Sequence, residues 1–296
     1  MRERELLQRI AERSADLGAA FPGVLVGPGD DCAVLAGDPR PLLLTVDHLV
    51  QGRHFDDALP LDLVGRKAVA RSVSDIAAMA GRPAWALATA LLPAGWPHAD
   101  ELFGHMADAA RAFGCPLVGG DVASHAGDGP LTLTVTAGGH PVGERPVLRS
   151  GANAGDSVYA TGRFGGSPVA HRHARFDPRV EEAAALAGLA TAMIDASDGL
   201  GVDAGRIAEA SGATIELDAA TIPVHPDARD LDAALGDGED YELVFTAPDA
   251  ATVPEAIFGT PITRIGLVVE RGEHACVVVL PGGARRNASD LGFEHG

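Results

Sequence analysis

Hydrophobic positions along the chain change period several times, and each change marks a predicted element. Leu6, Leu7, Ile10 and Leu17 recur near helical spacing and predict an amphipathic helix. A turn at Phe21-Pro22-Gly23 follows, then Gly27-Pro28-Gly29-Asp30-Asp31, which admits no regular structure. Leu42-Leu43-Leu44-Thr45-Val46 is an apolar run of strand length, expected to stop at Asp47. Residues 63–80 predict a helix whose buried stripe is Val69, Val73, Ile76 and Ala80, closed by Gly81 and Pro83. Another helix is predicted over 98–113 and a short strand at Leu117-Val118. From 131 to 137, Leu and Val alternate with Thr132, Thr134 and Thr136, the period of a half-buried strand whose threonine face meets water or another subunit.

The segment 139–155, rich in Gly, Pro and Arg, is the best boundary, giving domains 1–140 and 141–296. Beyond it lie a strand at 158–161, a glycine loop at 162–166, a helix near 180–189 and Met193-Ile194-Asp195. A helix at 203–210 and strands near 214–217, 242–245 and 262–269 complete the second half. Helices and strands mixed in both halves predict two α+β domains.

Composition narrows the function. An apolar fraction of 46% and a charged fraction of 22% over 296 residues describe a globular protein with a large core. A formal net charge of −18 makes nucleic acid and anionic membrane poor partners. The longest apolar stretch, 84–92, is too short to span a bilayer, and the charged start Met1-Arg2-Glu3-Arg4-Glu5 reads as helix rather than signal peptide. Cys32, Cys115 and Cys276 are scattered and odd in number, which suits a reducing cytoplasm. Cys32 itself reads as a packed small residue. Lys67 is the only lysine and no G-x-x-x-x-G-K-[ST] loop surrounds it, so a nucleotide site must work another way.

Carboxylates supply that way. A short apolar run ending in an acid occurs at Val46-Asp47, at Val118-Gly119-Gly120-Asp121 and at Ile194-Asp195-Ala196-Ser197-Asp198. A single Asp after a strand is more often a turn or cap residue; the recurrence is what points to a site. Asp75 falls beside the apolar stripe of its helix, next to Ala68, Ser72 and Met79, a poor place for mere solvated charge. Crowded carboxylates repel unless cations lie among them, and oxygen ligands without Cys or His select Mg²⁺ over Zn²⁺. Gly162-Arg163-Phe164-Gly165-Gly166 lacks the spacing of a dinucleotide loop. Arg149 could pair bidentately with a phosphate, although a solvated linker arginine is commoner. His54 is more often structural than ligand-binding, and His171 and His173 read as surface residues.

In order along the chain, Gly29-Asp30-Asp31-Cys32-Ala33, Thr45-Val46-Asp47-His48, Gly52-Arg53-His54-Phe55, Ser74-Asp75-Ile76, Gly119-Gly120-Asp121 and Arg149-Ser150-Gly151 are followed by Met193-Ile194-Asp195-Ala196-Ser197-Asp198-Gly199 and Gly238-Glu239-Asp240-Tyr241-Glu242. Together they resemble the thiamine-monophosphate kinases, of the superfamily that includes aminoimidazole ribonucleotide synthetase. The resemblance implies a two-domain α+β fold with mixed and antiparallel sheets flanked by helices, and a homodimer. It implies Mg²⁺ held by Asp30, Thr45, Val46 (through its backbone), Asp47, Asp75, Asp121, Asp195 and Asp198. ATP would meet Gly120, Asp121, Arg149 and Ser197; thiamine monophosphate would meet His54, Glu239 and Phe293. Asp47, Asp75, Asp121 and Arg149 would carry the transfer. Val46 stands where the family often has Thr, and Phe293 where Trp or Tyr is common. Such an enzyme moves the γ-phosphate of ATP onto a phosphate by direct in-line transfer. The rivals are an ATP-using synthetase of the same superfamily, a metal-dependent phosphohydrolase and a non-catalytic cation-binding protein.

Overall fold

The computed structural model of the protein describes residues 3–28 and 32–292. Asp30 and Phe293, expected to bind metal and substrate, lie outside the described residues. The chain divides into two compact units, 1–76 with 82–141, and 77–81 with 142–296.

In the first unit, helices α1 (Glu3–Arg13) and α2 (Leu17–Ala20) precede a two-stranded sheet of β1 (Val24–Val26) and β2 (Val34–Leu35). Strand β3 (Leu43–Val50), helix α3 (Leu61–Ala78), strand β4 (Gly81–Leu92), helix α4 (Ala99–Ala112), and strands β5 (Leu117–Ser124) and β6 (Thr132–Pro141) follow. The four longer strands form one sheet in the order β3-β6-β4-β5. β3 and β6 are antiparallel with Asp47 opposite Val135, whereas β4 and β5 are parallel. Residues 84–92, the longest apolar stretch, belong to a strand that begins at Gly81. Helix α3 ends at Ala78 and the left-handed residue after it is Ala80, at φ +53°, so Gly81 does not cap the helix as expected but opens β4.

Two expected strand ends move. β3 does not stop at Asp47 but continues to Val50, and β5 carries Asp121 in its interior rather than at its edge. The physical reason in β3 is its alternation. Leu43 and Leu49 are buried, with the half-buried Thr45 and Asp47 between them in the same period, while Leu44, Val46 and His48 are exposed. Asp47 thus occupies an inward position of a continuing strand.

The second unit is built on strands β7 (Ser157–Thr161), β8 (Ala192–Asp195), β9 (Ala213–Asp218), β10 (Leu243–Ala247), β11 (Ala256–Ile257), β12 (Thr260–Glu270), β13 (Cys276–Val279) and β14 (Arg285–Asn287). The sheet order is β14-β13-β9-β12-β7-β10-β8, with β11 paired to β12. Only β13 with β9 is parallel among its pairings. Helices α5 (Arg172–Arg175), α6 (Val180–Leu186), α7 (Leu200–Ser211) and α8 (Leu231–Gly236) complete it. α7 packs on β8, β9 and β13 through Leu200, Ala204, Ile207 and Ala208, spaced at helical period and fully buried in one apolar cluster with Ile215, Leu217 and Val278. A left-handed Gly212 ends this helix. No helix is long and apolar enough to cross a membrane among the described residues.

Candidate active site

In the first unit, β3 and α3 join four oxygen-bearing side chains in two contacting pairs. The Thr45 hydroxyl donates to Asp75 Oδ2. Ser72 Oγ lies 3.0 Å from Asp47 Oδ2 and 3.0 Å from the Val135 carbonyl, which ties α3 to the edge strand β3 and its neighbour β6. Arg71 approaches Asp47 Oδ1 at 3.6 Å and donates to the His48 carbonyl at 2.8 Å. Asp47 and Asp75 are half-buried, so each keeps an accessible face. The arrangement follows from sequence spacing: Thr45 and Asp47 share the inward face of a strand, and Ser72 and Asp75 are neighbours at i, i+3 on a helix. Val46 points the other way and its side chain is 59% exposed, so only its backbone is near the pair.

Asp121 is exposed and opposite Thr89 on β4, with β6 and β4 between its strand and β3. Among the described residues no three His, Cys, Asp or Glu side chains gather closely enough to hold an ion. Gly120 precedes it at a position that only glycine can fill, since a Cβ there would lie 1.8 Å from the Ala88 carbonyl oxygen. His54 accepts from the Val50 amide through Nδ1 at 2.9 Å, and its carbonyl accepts from Lys67 Nζ at 2.7 Å. Lys67 is fully buried. The chain's single lysine is a structural pin beneath the His54 loop.

In the second unit, Asp195 ends β8 opposite Leu243 and is 2% exposed. The turn after it carries Ser197 and Asp198. Asp203 accepts the amides of Asp198 and Gly199 at 2.9 and 3.1 Å, and Arg206 bridges Asp203 Oδ1 and Asp198 Oδ2 at 2.5 and 2.6 Å. Burial pushes the Asp203 carboxyl up to about 6, against the pull of Arg206. Arg149 is exposed, and its carbonyl accepts from Ser211 Oγ at 3.4 Å.

The glycine loop is already occupied. Gly165 and Gly166 adopt φ of +84° and +72°, and their amides donate to Asp240 at 3.0–3.1 Å and to Asp237 at 2.8 Å. The chain's own carboxylates take the place an anion would occupy in a phosphate loop. Burial raises the Asp240 carboxyl to about 6, opposed by the Gly165 amide and Arg172. Glu239 is half-buried at φ +53°, with His173 Nδ1 3.6 Å from its Oε2. Two readings of single residues are corrected. His173 is not a surface residue, its side chain being 12% exposed against Glu239, and Cys32 is exposed rather than packed.

The family model for the AIR synthase related N-terminal domain matches residues 29–140, and that for the C-terminal domain matches 154–279. The chain belongs to the AIR synthase related family, on its thiamine-monophosphate kinase branch. The thiamine-monophosphate kinase of Rhodopirellula baltica is 38% identical over 85% of each chain, and that of Escherichia coli K12 is 35% identical over 86% of this chain and 87% of its own. The solved thiamine-monophosphate kinase of Stenotrophomonas maltophilia superposes with a TM-score of 0.80 at 30% identity, covering 93% of this chain and 96% of its own. A structure named AaThiL, complexed with AMPPCP and TMP, covers 100% of this chain and 99% of its own at TM-score 0.75 and 29% identity. The hydrogenase maturation protein HypE in complex with ATP, at 20% identity and TM-score 0.77 over 96% and 95% of the two chains, shares the fold.

The residues that the sequence missed are Arg172, His173 and Arg179. Each lies in a segment with no catalytic spacing, and only its distant partners in the 239–242 loop give it meaning.

Proposed function

We propose that this chain is an ATP-dependent thiamine-monophosphate kinase, transferring the γ-phosphate of ATP to the phosphate of thiamine monophosphate to give thiamine diphosphate. The observation that carries the reading is the match along both domains to kinases of that name, at 38% identity over 85% of each chain in one of them. The accepting phosphate oxygen is ionised at neutral pH, so the reaction needs no strong general base. What it needs is relief of repulsion between two polyanions and alignment of attacking and leaving oxygens.

The donor set fits Mg²⁺. Thr45, Asp47 and Asp75 offer only hard oxygens, and Mg²⁺ commonly takes one or two carboxylates, completing its octahedron with water and substrate phosphates. When bound, the ion supplies charge neutralisation at the transferring group. Asp30, Asp121 and the Val46 carbonyl complete the proposed ligands of the first unit, and Asp195 and Asp198 are those of the second. Thr45 orients Asp75 by its hydrogen bond, and Ser72 orients Asp47. Gly120, Asp121, Arg149 and Ser197 are the proposed ATP contacts. His54, Glu239 and Phe293 are those for the organic part of the acceptor.

We further propose a homodimer that meets through the outer face of the first unit's four-stranded sheet. Leu44 (61% exposed), Val46, Leu87 and Leu91 stand on that sheet as exposed apolar side chains, an arrangement that favours burial against a partner. Thiols left free at Cys32, Cys115 and Cys276 support a reducing, cytoplasmic setting. A coupled ADP-release assay with Mg²⁺ and ATP tests the function. ADP forms with thiamine monophosphate as acceptor and not with unphosphorylated thiamine; equal rates with both acceptors would remove the substrate assignment.

A further inference from the structure

Each residue of Glu239-Asp240-Tyr241-Glu242 faces one residue of the segment 172–179. Three are in direct hydrogen-bonded or stacked contact, and Glu239 stands across a longer gap to His173 that becomes an ion pair when the imidazole is protonated. Arg172 Nη2 meets Asp240 Oδ1 at 2.5 Å and also donates to the Gly165 carbonyl. His173 Nδ1 lies 3.6 Å from Glu239 Oε2. The Phe176 ring stacks on Tyr241 with centroids 3.9 Å apart at 15°. Arg179 grips Glu242 with two hydrogen bonds, at 2.7 and 2.5 Å. Both segments lie in the second unit.

The held loop is strained. Gly238, Glu239 and Tyr241 have φ of +69°, +53° and +54°, and two of these are side-chain-bearing residues in the left-handed region. Backbone bonds from the Glu239 amide to the Ser197 carbonyl (2.7 Å) and from the Tyr241 amide to the Ala196 carbonyl (2.9 Å) fix the loop against the turn that carries Ser197 and Asp198. Strain of this kind persists where surrounding contacts over-determine it, and it concentrates at ligand clamps. Asp240, Tyr241 and Glu242 are buried, whereas Glu239 is half-buried. Three of the four pairings therefore anchor the loop, and the fourth acts on the carboxylate that faces out.

We infer that His173 is a positioning residue that sets the direction of the Glu239 carboxylate toward the cationic thiazolium or the amino group of the acceptor's ring system. The inference rests on the proposed role of Glu239 as a substrate contact. His173 is itself fixed, because its amide donates to the Ser167 carbonyl at 2.8 Å and its neighbour Arg172 is bound to Asp240. A carboxylate on a strained loop recognises a cation well only when its rotamer is held in advance.

Steady-state kinetics on the full chain test this with His173→Ala, Glu239→Gln and the double variant, varying each substrate in turn. His173→Ala raises KM for thiamine monophosphate about tenfold and leaves KM for ATP within about twofold. The double variant is no worse than Glu239→Gln alone, because the two residues act as one unit. His173→Gln, which retains a donor at similar reach, recovers most of the lost affinity. If His173→Ala does not fold, His173→Asn, whose side chain stops short of Glu239, takes its place. An unchanged KM in the His173 variant beside a raised KM in Glu239→Gln would overturn the positioning role while leaving the substrate contact standing. Equal rises in both KM values, or fully additive losses, would reduce His173 to a structural part. No KM effect in Glu239→Gln would remove the contact itself and the inference with it.

Discussion

Thr45, Asp47, Ser72 and Asp75 carry the first testable consequence at the scale of single residues. Asp47→Asn and Asp75→Asn keep the shape of each side chain and remove its charge. Either is expected to cut turnover by roughly two orders of magnitude or more, with circular dichroism unchanged; near-normal turnover in both would contradict the ligand assignment. Asp240 gives a prediction in pH. Its carboxyl titrates near 3.8 when unfolded and is pushed to about 6 in the fold, so the native state holds a proton the unfolded chain has released. Its contribution to stability is therefore full below about pH 4 and falls as pH rises through about 6. Asp240→Asn should flatten the melting temperature's decline across that window, and an unchanged slope would contradict it. Legibility in the sequence differs among these residues. Asp75 could be read from one helix, because its angle beside Val69, Val73 and Ile76 is a local property. His173 could not, because its partner is far along the chain. An acid after five apolar-rich positions resembles a strand stop at Asp47, yet the alternation through Leu49 keeps the strand going.

Among elements, the glycine loop and α7 make the sharpest cases. A Cβ at Gly165 would lie 2.8 Å from the Ala234 amide nitrogen and one at Gly166 would lie 2.6 Å from the Asp227 carbonyl carbon, both at positive φ. Gly165→Ala or Gly166→Ala should cost at least about 1–3 kcal/mol, measured by denaturant unfolding; a neutral result would mean that the loop is not pinned by Asp237 and Asp240. Ile207 is fully buried on α7, and Ile207→Ala should cost about 2–5 kcal/mol. The period of α7 and the threonine alternation of β6 were readable because they repeat within one element. The loop's role was not. The spacing of its glycines decides nothing, and only the tertiary position of Asp237 and Asp240 shows that carboxylates use its amides.

For the whole molecule, the order of short motifs from residue 29 to 242 was legible because the chemistry of this family is spread over many elements, each leaving a brief signature. The strand order was not, since neither mixed sheet follows the chain. The proposed dimer belongs to this scale. Leu44→Glu places a charge on the exposed face of the first unit's sheet and should shift the mass seen by light scattering from dimer to monomer; an unshifted dimer would move the interface elsewhere. In the proposed reaction a phosphate, rather than water or an activated carbonyl, receives the γ-phosphate. Phosphorus NMR of the full chain with Mg²⁺, ATP and thiamine monophosphate follows that group directly. Thiamine diphosphate and ADP should grow in equal amounts without inorganic phosphate; inorganic phosphate appearing with ADP, and no diphosphate product, would mean that water or a carbonyl takes the group instead.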